Sequence, residues 1–112
     1  MEVSLKIICV HEAMPAIKQR VKSLCTHVNA DAYEEDTIIN YWKCEDCSVY
    51  NVRFRCHSST IGFFESELYN ISGGHRVEVD YDGLHAELSC YTTVSELKSN
   101  PCSAFVTCYI SL

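Results

Sequence analysis

Eight cysteines in 112 residues constrain this chain more than any other feature. In a secreted domain that density is a disulfide framework. In a reducing compartment it is a metal site, a redox site or plain packing. The N-terminal stretch MEVSLKIICVHEAMP sets a short apolar run between Glu2 and Glu12, whereas a signal peptide starts basic and has a longer apolar region. No stretch approaches the ~18 apolar residues of a membrane span. The chain is therefore expected in the cytosol, thiols reduced, with its fold resting on a hydrophobic core. At this length folding buries roughly 65% of the unfolded chain's surface, which suffices. Four glycines, two prolines and a 47% hydrophobic share leave one globular domain over residues 1–112.

Val3, Leu5, Ile7 and Cys9 alternate with Ser4, Lys6, Ile8 and Val10, and the second face turns apolar toward its end. That is the pattern of a strand inside a sheet. Met14, Ile17, Val21, Leu24, Cys25 and Val28 recur at helical spacing, with Pro15 suited to the first turn and Asn29-Ala30-Asp31 to the stop. Residues 13–28 are predicted to be the main helix.

Residues 37–57 read as a long hairpin, in which Tyr50, Val52, Phe54 and Cys56 alternate with polar residues. With Glu45-Asp46 as its loop, Ile39 would face Val52 and Tyr41 would face Tyr50, although Glu-Asp is poor chemistry for a two-residue turn. In a second hairpin, Asp82-Gly83 is a favoured type I′ dipeptide. It would pair Tyr81 with Leu84, Val79 with Ala86 and Val77 with Leu88 toward the core, leaving Glu78, Asp80 and Glu87 wet. Residues 60–64 and 68–71 read as short strands ended by Gly73-Gly74. Thr93-Val94-Ser95-Glu96 matches a capping box and predicts a short helix. Residues 104–110 read as another internal strand. The sum is an α+β fold: an antiparallel or mixed sheet of five to seven strands with one main amphipathic helix on a face.

Cys44-Glu45-Asp46-Cys47 is the one spacing here that suits a metal knuckle or a redox pair. Zinc needs four ligands, normally from two such knuckles. Cys56-His57 would have to supply the second, yet it lies nine residues along a strand from Cys47, roughly 30 Å at ~3.3 Å per residue. A reactive dithiol needs a nearby cation or helix N-terminus, and Glu45 and Asp46 work against the thiolate. No cofactor is expected, with zinc or redox chemistry at Cys44 and Cys47 as the alternative. Cys9, Cys25, Cys56 and Cys90 fall on apolar faces and are expected to pack as small hydrophobes. Cys102, in a loop, is expected to be exposed.

Nucleophilic catalysis finds little support. Cys25 and His27 stand two apart on a helix, where they do not face each other. His57-Ser58-Ser59 lacks the second motif that a two-histidine phosphoesterase requires. There is no phosphate loop, dinucleotide fingerprint, HExxH or GxSxG. The chain is expected not to be an enzyme, a small enzyme of unrecognised type being a further alternative.

What remains is surface. A net charge of −6 argues against direct nucleic-acid binding. Glu78, Asp80 and Glu87 gather on the wet side of the second hairpin, with Glu78 expected opposite Glu87, and opposed like charges cost sheet stability. Tyr33, Glu34, Glu35 and Asp36 form a second acidic patch in an expected loop. Trp42 falls on the polar side of the first hairpin near its apex. These eight residues are the expected contacts of a small non-enzymatic protein-binding module. It would dock on a basic surface of a larger partner, such as a nucleic-acid-handling protein, and inhibit it in the manner of a phage anti-defence or immunity protein. No membrane contact is expected, and self-association through a sheet edge stays open.

Overall fold

Polar Ser4 and Lys6 on one side of β1 (Glu2–Val10), against Val3, Leu5, Ile7 and Cys9 on the other, set the two-faced character of the whole sheet. A computed structural model describes every residue except Ser58, so the middle of the His57-Ser58-Ser59 segment lies outside the described residues, as does the side chain of Ala32. After β1, a 3-10 turn (His11–Ala13) leads into α1 (Met14–His27), which is followed by β2 (Asp31–Tyr41) and β3 (Cys44–Arg55). Then come α2 (Ile61–Ile71), β4 (Glu78–Tyr81), β5 (His85–Cys90), α3 (Val94–Ser99) and β6 (Phe105–Ser111).

The six strands form one antiparallel sheet in the order β2-β3-β1-β6-β5-β4. The strand count and the α+β class agree with the expectation from sequence, and both β1 and β6 are internal. The halves correspond: a helix leads into a hairpin on each side (α1 into β2–β3, α2 into β4–β5). The second strand of each hairpin pairs with one of the two central strands.

Both longer helices pack on the face that carries Val3, Leu5, Ile7, Val52, Phe54, Leu88 and Ile110. Ile17, Val21 and Leu24 of α1 and Phe64, Leu68 and Ile71 of α2 complete that core. Helix α1 ends as the sequence suggests. Asn29 takes φ 51°, with Ala30 N bonded to Cys25 O and Asn29 N to Thr26 O, a Schellman stop.

Several expectations are corrected. Residues 61–71 are a helix, not two strands. Ile61, Phe64, Leu68 and Ile71 share one helical face, and the Thr60 side chain caps the start by accepting from Phe63 N. The second hairpin turns one residue later than expected. Asp82 Oδ1 accepts from Leu84 N and His85 N, so Gly83 and Leu84 are the central residues, with Gly83 at φ 93° as a II′ turn requires. Tyr81 therefore faces Ala86, and Asp80 rather than Glu78 faces Glu87. Because α2 covers β5 and stops short of β4, Val79 and Tyr81 stay 40% and 53% exposed instead of entering the core.

The first hairpin turns at Trp42-Lys43, with Tyr41 opposite Cys44 and Thr37 opposite Tyr50. Tyr33, Glu34, Glu35 and Asp36 thus belong to β2 rather than to a loop. Between Tyr41/Cys44 and Ile39/Ser48, two steps along β2 match four along β3. The surplus is a bulge at Glu45-Asp46, where the sequence suggested a turn.

Candidate functional site

The sheet face opposite α1 and α2 is partly covered at one end. Ile8, Val10, Cys47 and Val49 point to that side, yet all are buried, because α3 lies against β1 there with Leu97 turned inward. The rest of the face is open and forms a concavity of about 620 Å³. Ser4 and Lys6 of β1, Asn51 and Arg53 of β3, and Thr107 and Tyr109 of β6 make its floor.

Carboxylates close it from both sides. Glu34 and Asp36 of β2 pair with Arg53 and Asn51, and Glu87 of β5 pairs with Tyr109. On the outermost strand, Glu78 and Asp80 point the same way, opposite Ser89 and Glu87. The sequence treats Glu34/Asp36 and Glu78/Asp80/Glu87 as separate patches. The sheet order makes them two rims of one surface, about 24 Å apart over five strand spacings. Between the rims run Lys6 and Arg53, neither with an acidic partner within 4.0 Å among the described residues, and Arg55, which meets Glu2 at 3.6 Å.

Tyr33 and Glu35 leave that surface. They lie on the helix side, where Glu35 Oε2 accepts hydrogen bonds from Tyr33 Oη at 2.8 Å and from Tyr50 Oη. Those two bonds, Tyr50's first, hold the Glu35 carboxyl below its ordinary range. Burial first, then the same contacts, raises the Tyr50 phenol. Lys18 Nζ sits 5.1 Å from the Tyr50 ring centre. The cluster fastens β2 to β3 and α1, which is a structural task. Trp42 occupies the hairpin turn, 81% exposed, with Lys43 Nζ 4.9 Å from its ring centre.

Cys44 and Cys47 are not at an exposed tip. They are 5% and 0% exposed, under α3, and their sulfurs are 3.1 Å apart. Cys9, Cys25, Cys56, Cys90 and Cys108 are buried as well, and Cys102 is exposed. Among the described residues, no three His, Cys, Asp or Glu side chains are grouped to hold a metal ion. Nor is any helix long and apolar enough to cross a membrane.

The sequence reading missed Lys6, Arg53 and Tyr109 as members of a site. The signal was present in β1: polar Glu2, Ser4 and Lys6 precede apolar Ile8 and Val10 on one face, which marks an uncovered end of that face. No family model, curated protein or solved structure matches the chain.

Proposed function

We propose that the protein is a non-enzymatic binding module whose open sheet face docks on a basic partner. One observation supports this most: Glu34 and Asp36 on one side and Glu87 on the other line a single concave surface, and Glu78 and Asp80 extend the same sheet face on the edge strand beyond Glu87. Two of them, Asp80 and Glu87, stand directly opposed. A like-charged cross-strand pair costs roughly 0.2–1 kcal/mol, and solubility alone could be served by charges placed apart. The partner's complementary surface would carry two basic flanks about five strand spacings apart, around a centre that accepts Lys6 and Arg53.

Such an arrangement speeds encounter and selects partners by charge more than it adds affinity. Covering the basic site of a nucleic-acid-handling partner would inhibit it, and a phage anti-defence or immunity role is one setting for that. Tyr109 and Trp42 are the aromatic anchors within reach, Tyr109 on the floor and Trp42 at the end of the β2–β3 hairpin.

The test compares tagged wild-type chain with two variants, Glu34→Lys/Asp36→Lys and Glu78→Lys/Asp80→Lys/Glu87→Lys, as baits at low salt. Partners retained by the wild type should be lost by both variants and released as salt rises. If both variants hold the same partners as the wild type, the reading is wrong.

A further inference from the structure

Strict alternation along an extended strand would send Cys44 and Cys47 to opposite faces. The bulge at Glu45-Asp46 instead turns them together, and Cys47 Sγ donates to Cys44 Sγ at 3.1 Å. Two other elements pin that bulge. His11, just past β1, contacts the Glu45 carbonyl through Nε2 at 2.9 Å and pairs through Nδ1 with Ser48 Oγ. Lys98 of α3 meets the Asp46 carboxylate at 3.3 Å. The thiol pair is thus held from residue 45 to residue 48 by contacts distant in sequence.

The spacing discriminates between the chemistries open to two thiols. A tetrahedral zinc with bonds of ~2.3 Å separates two thiolate ligands by about 3.8 Å, and a linear soft ion separates them further. The pair would have to open to admit either, and no third ligand stands by among the described residues. A disulfide, at ~2.05 Å, needs the sulfurs to close by about 1 Å, within the reach of small χ1 rotations.

We propose that Cys44 and Cys47 are a reversible disulfide site, closed by exchange with a low-molecular-weight disulfide. Cys44, the less deeply buried of the two and the acceptor of the S–H bond, gives up its proton to water and attacks one sulfur of the small disulfide as a thiolate, expelling the other as a thiolate that takes up a proton. Cys47 then loses its proton, attacks the Cys44 sulfur and expels the second small thiolate. Two protein thiols are oxidised and one small disulfide is reduced to two thiols. In the dithiol, burial first, then the bond to Cys44, pushes the Cys47 thiol up to about 12. Burial persists once Cys44 carries the small thiol, so the closing step still needs Cys47 to lose a proton and quickens as pH rises. Cys102 is exposed, so any mixed disulfide it forms is a separate event from closure of the Cys44–Cys47 pair.

The experiment uses the folded full chain carrying Cys102→Ser, with the wild type in parallel. Both are exposed to glutathione disulfide at pH 7 and pH 8.5, quenched in acid, denatured, alkylated and mapped by mass spectrometry. The expected product is two hydrogens lighter, with Cys44 and Cys47 alone protected from alkylation. It should form faster at pH 8.5 and be reversed by excess reduced glutathione. A glutathione adduct that persists on Cys44 without closing, a bond to any other cysteine, or full alkylation of both residues would each overturn the proposal. Should Cys102→Ser fail to fold, the wild type gives the same readout, with Cys102 appearing as a separate adduct.

Discussion

Asp80 on the edge strand β4 stands directly across from Glu87 on β5, both on the open face of the sheet. Replacing one carboxylate by a cation turns a repulsive cross-strand pair into an attractive one. Asp80→Lys should raise stability by about 0.5–1 kcal/mol, or roughly 2–4 °C in melting temperature for a chain of this size. The gain should shrink in high salt. The same change should weaken capture of a basic partner. Calorimetry and binding measured on one preparation would show the two effects with opposite signs, and a loss of both would mean that the hairpin pairing is wrong.

On the other side of the sheet, Tyr50 ties stability to pH through Glu35. A carboxyl held below its ordinary 4.5 by hydrogen bonds contributes stability that is present above pH 4.5 and is lost as pH falls through the lower folded value. Tyr50→Phe removes the leading cause of that depression. It should cost about 1–2 kcal/mol at pH 7, below the ~1.5–3 kcal/mol of a buried hydrogen bond to a charged acceptor because water screens the exposed Glu35 carboxylate. The deficit should narrow as pH falls below 4.5 and the wild type gives up the same contribution. Urea titrations at pH 7 and pH 3.5 would check this, and a deficit equal at both pH values would exclude Glu35 as its source.

Helix α3 closes one end of the open face, and its weight should rest on Leu97 rather than on its charge. Leu97 is 4% exposed, with Ile8, Val10 and Val49 buried on the sheet face that α3 covers. Leu97→Ala should cost about 2–4 kcal/mol, as a truncated buried leucine does. The Lys98–Asp46 pair is solvent-exposed, so Lys98→Met should leave the melting temperature nearly unchanged. Hydrogen exchange at the amides of Ile8 and Val49 should accelerate in the leucine variant and stay as in wild type in the lysine variant.

The parts of this fold written in strict periods were legible: β1 from its alternation, α1 from its apolar stripe and its Asn29 stop, β6 from its β-formers. The parts governed by a single local device were not. Ile61-Gly62-Phe63-Phe64 looks like strand by composition, and the Thr60 cap together with the spacing to Leu68 and Ile71 decides for helix. A dipeptide rule placed the second turn at Asp82-Gly83, but the Asp82 side chain caps the following amides and moves the turn along by one residue. The bulge that joins Cys44 to Cys47 is invisible to alternation, since it is the departure from it. The acidic residues of the site could be named individually, but their convergence depends on strand order, a long-range property that no local window carries.

A pair of glycines offers the sharpest contrast between backbone strain and steric conflict. Gly73 and Gly83 both hold left-handed conformations, at φ 83° and 93°. A Cβ on Gly83 meets nothing within 4 Å, so Gly83→Ala should cost only the conformational penalty of about 1–2 kcal/mol. A Cβ on Gly73 would lie 2.2 Å from the Cys102 carbonyl oxygen and 2.9 Å from its carbon, both backbone atoms with no rotamer to move away. Gly73 is also the residue after the Ser72 cap of α2, whose carbonyl accepts from Ala104 N at the entry to β6. Gly73→Ala must therefore displace the loop from Cys102 to Ala104, and with it the bond of Ser103 Oγ to His75 Nε2 at 2.9 Å. Its cost should exceed that of Gly83→Ala by at least about 2 kcal/mol. Thermal melts give the difference, and faster hydrogen exchange at Ala104 in the Gly73 variant alone would locate its cause.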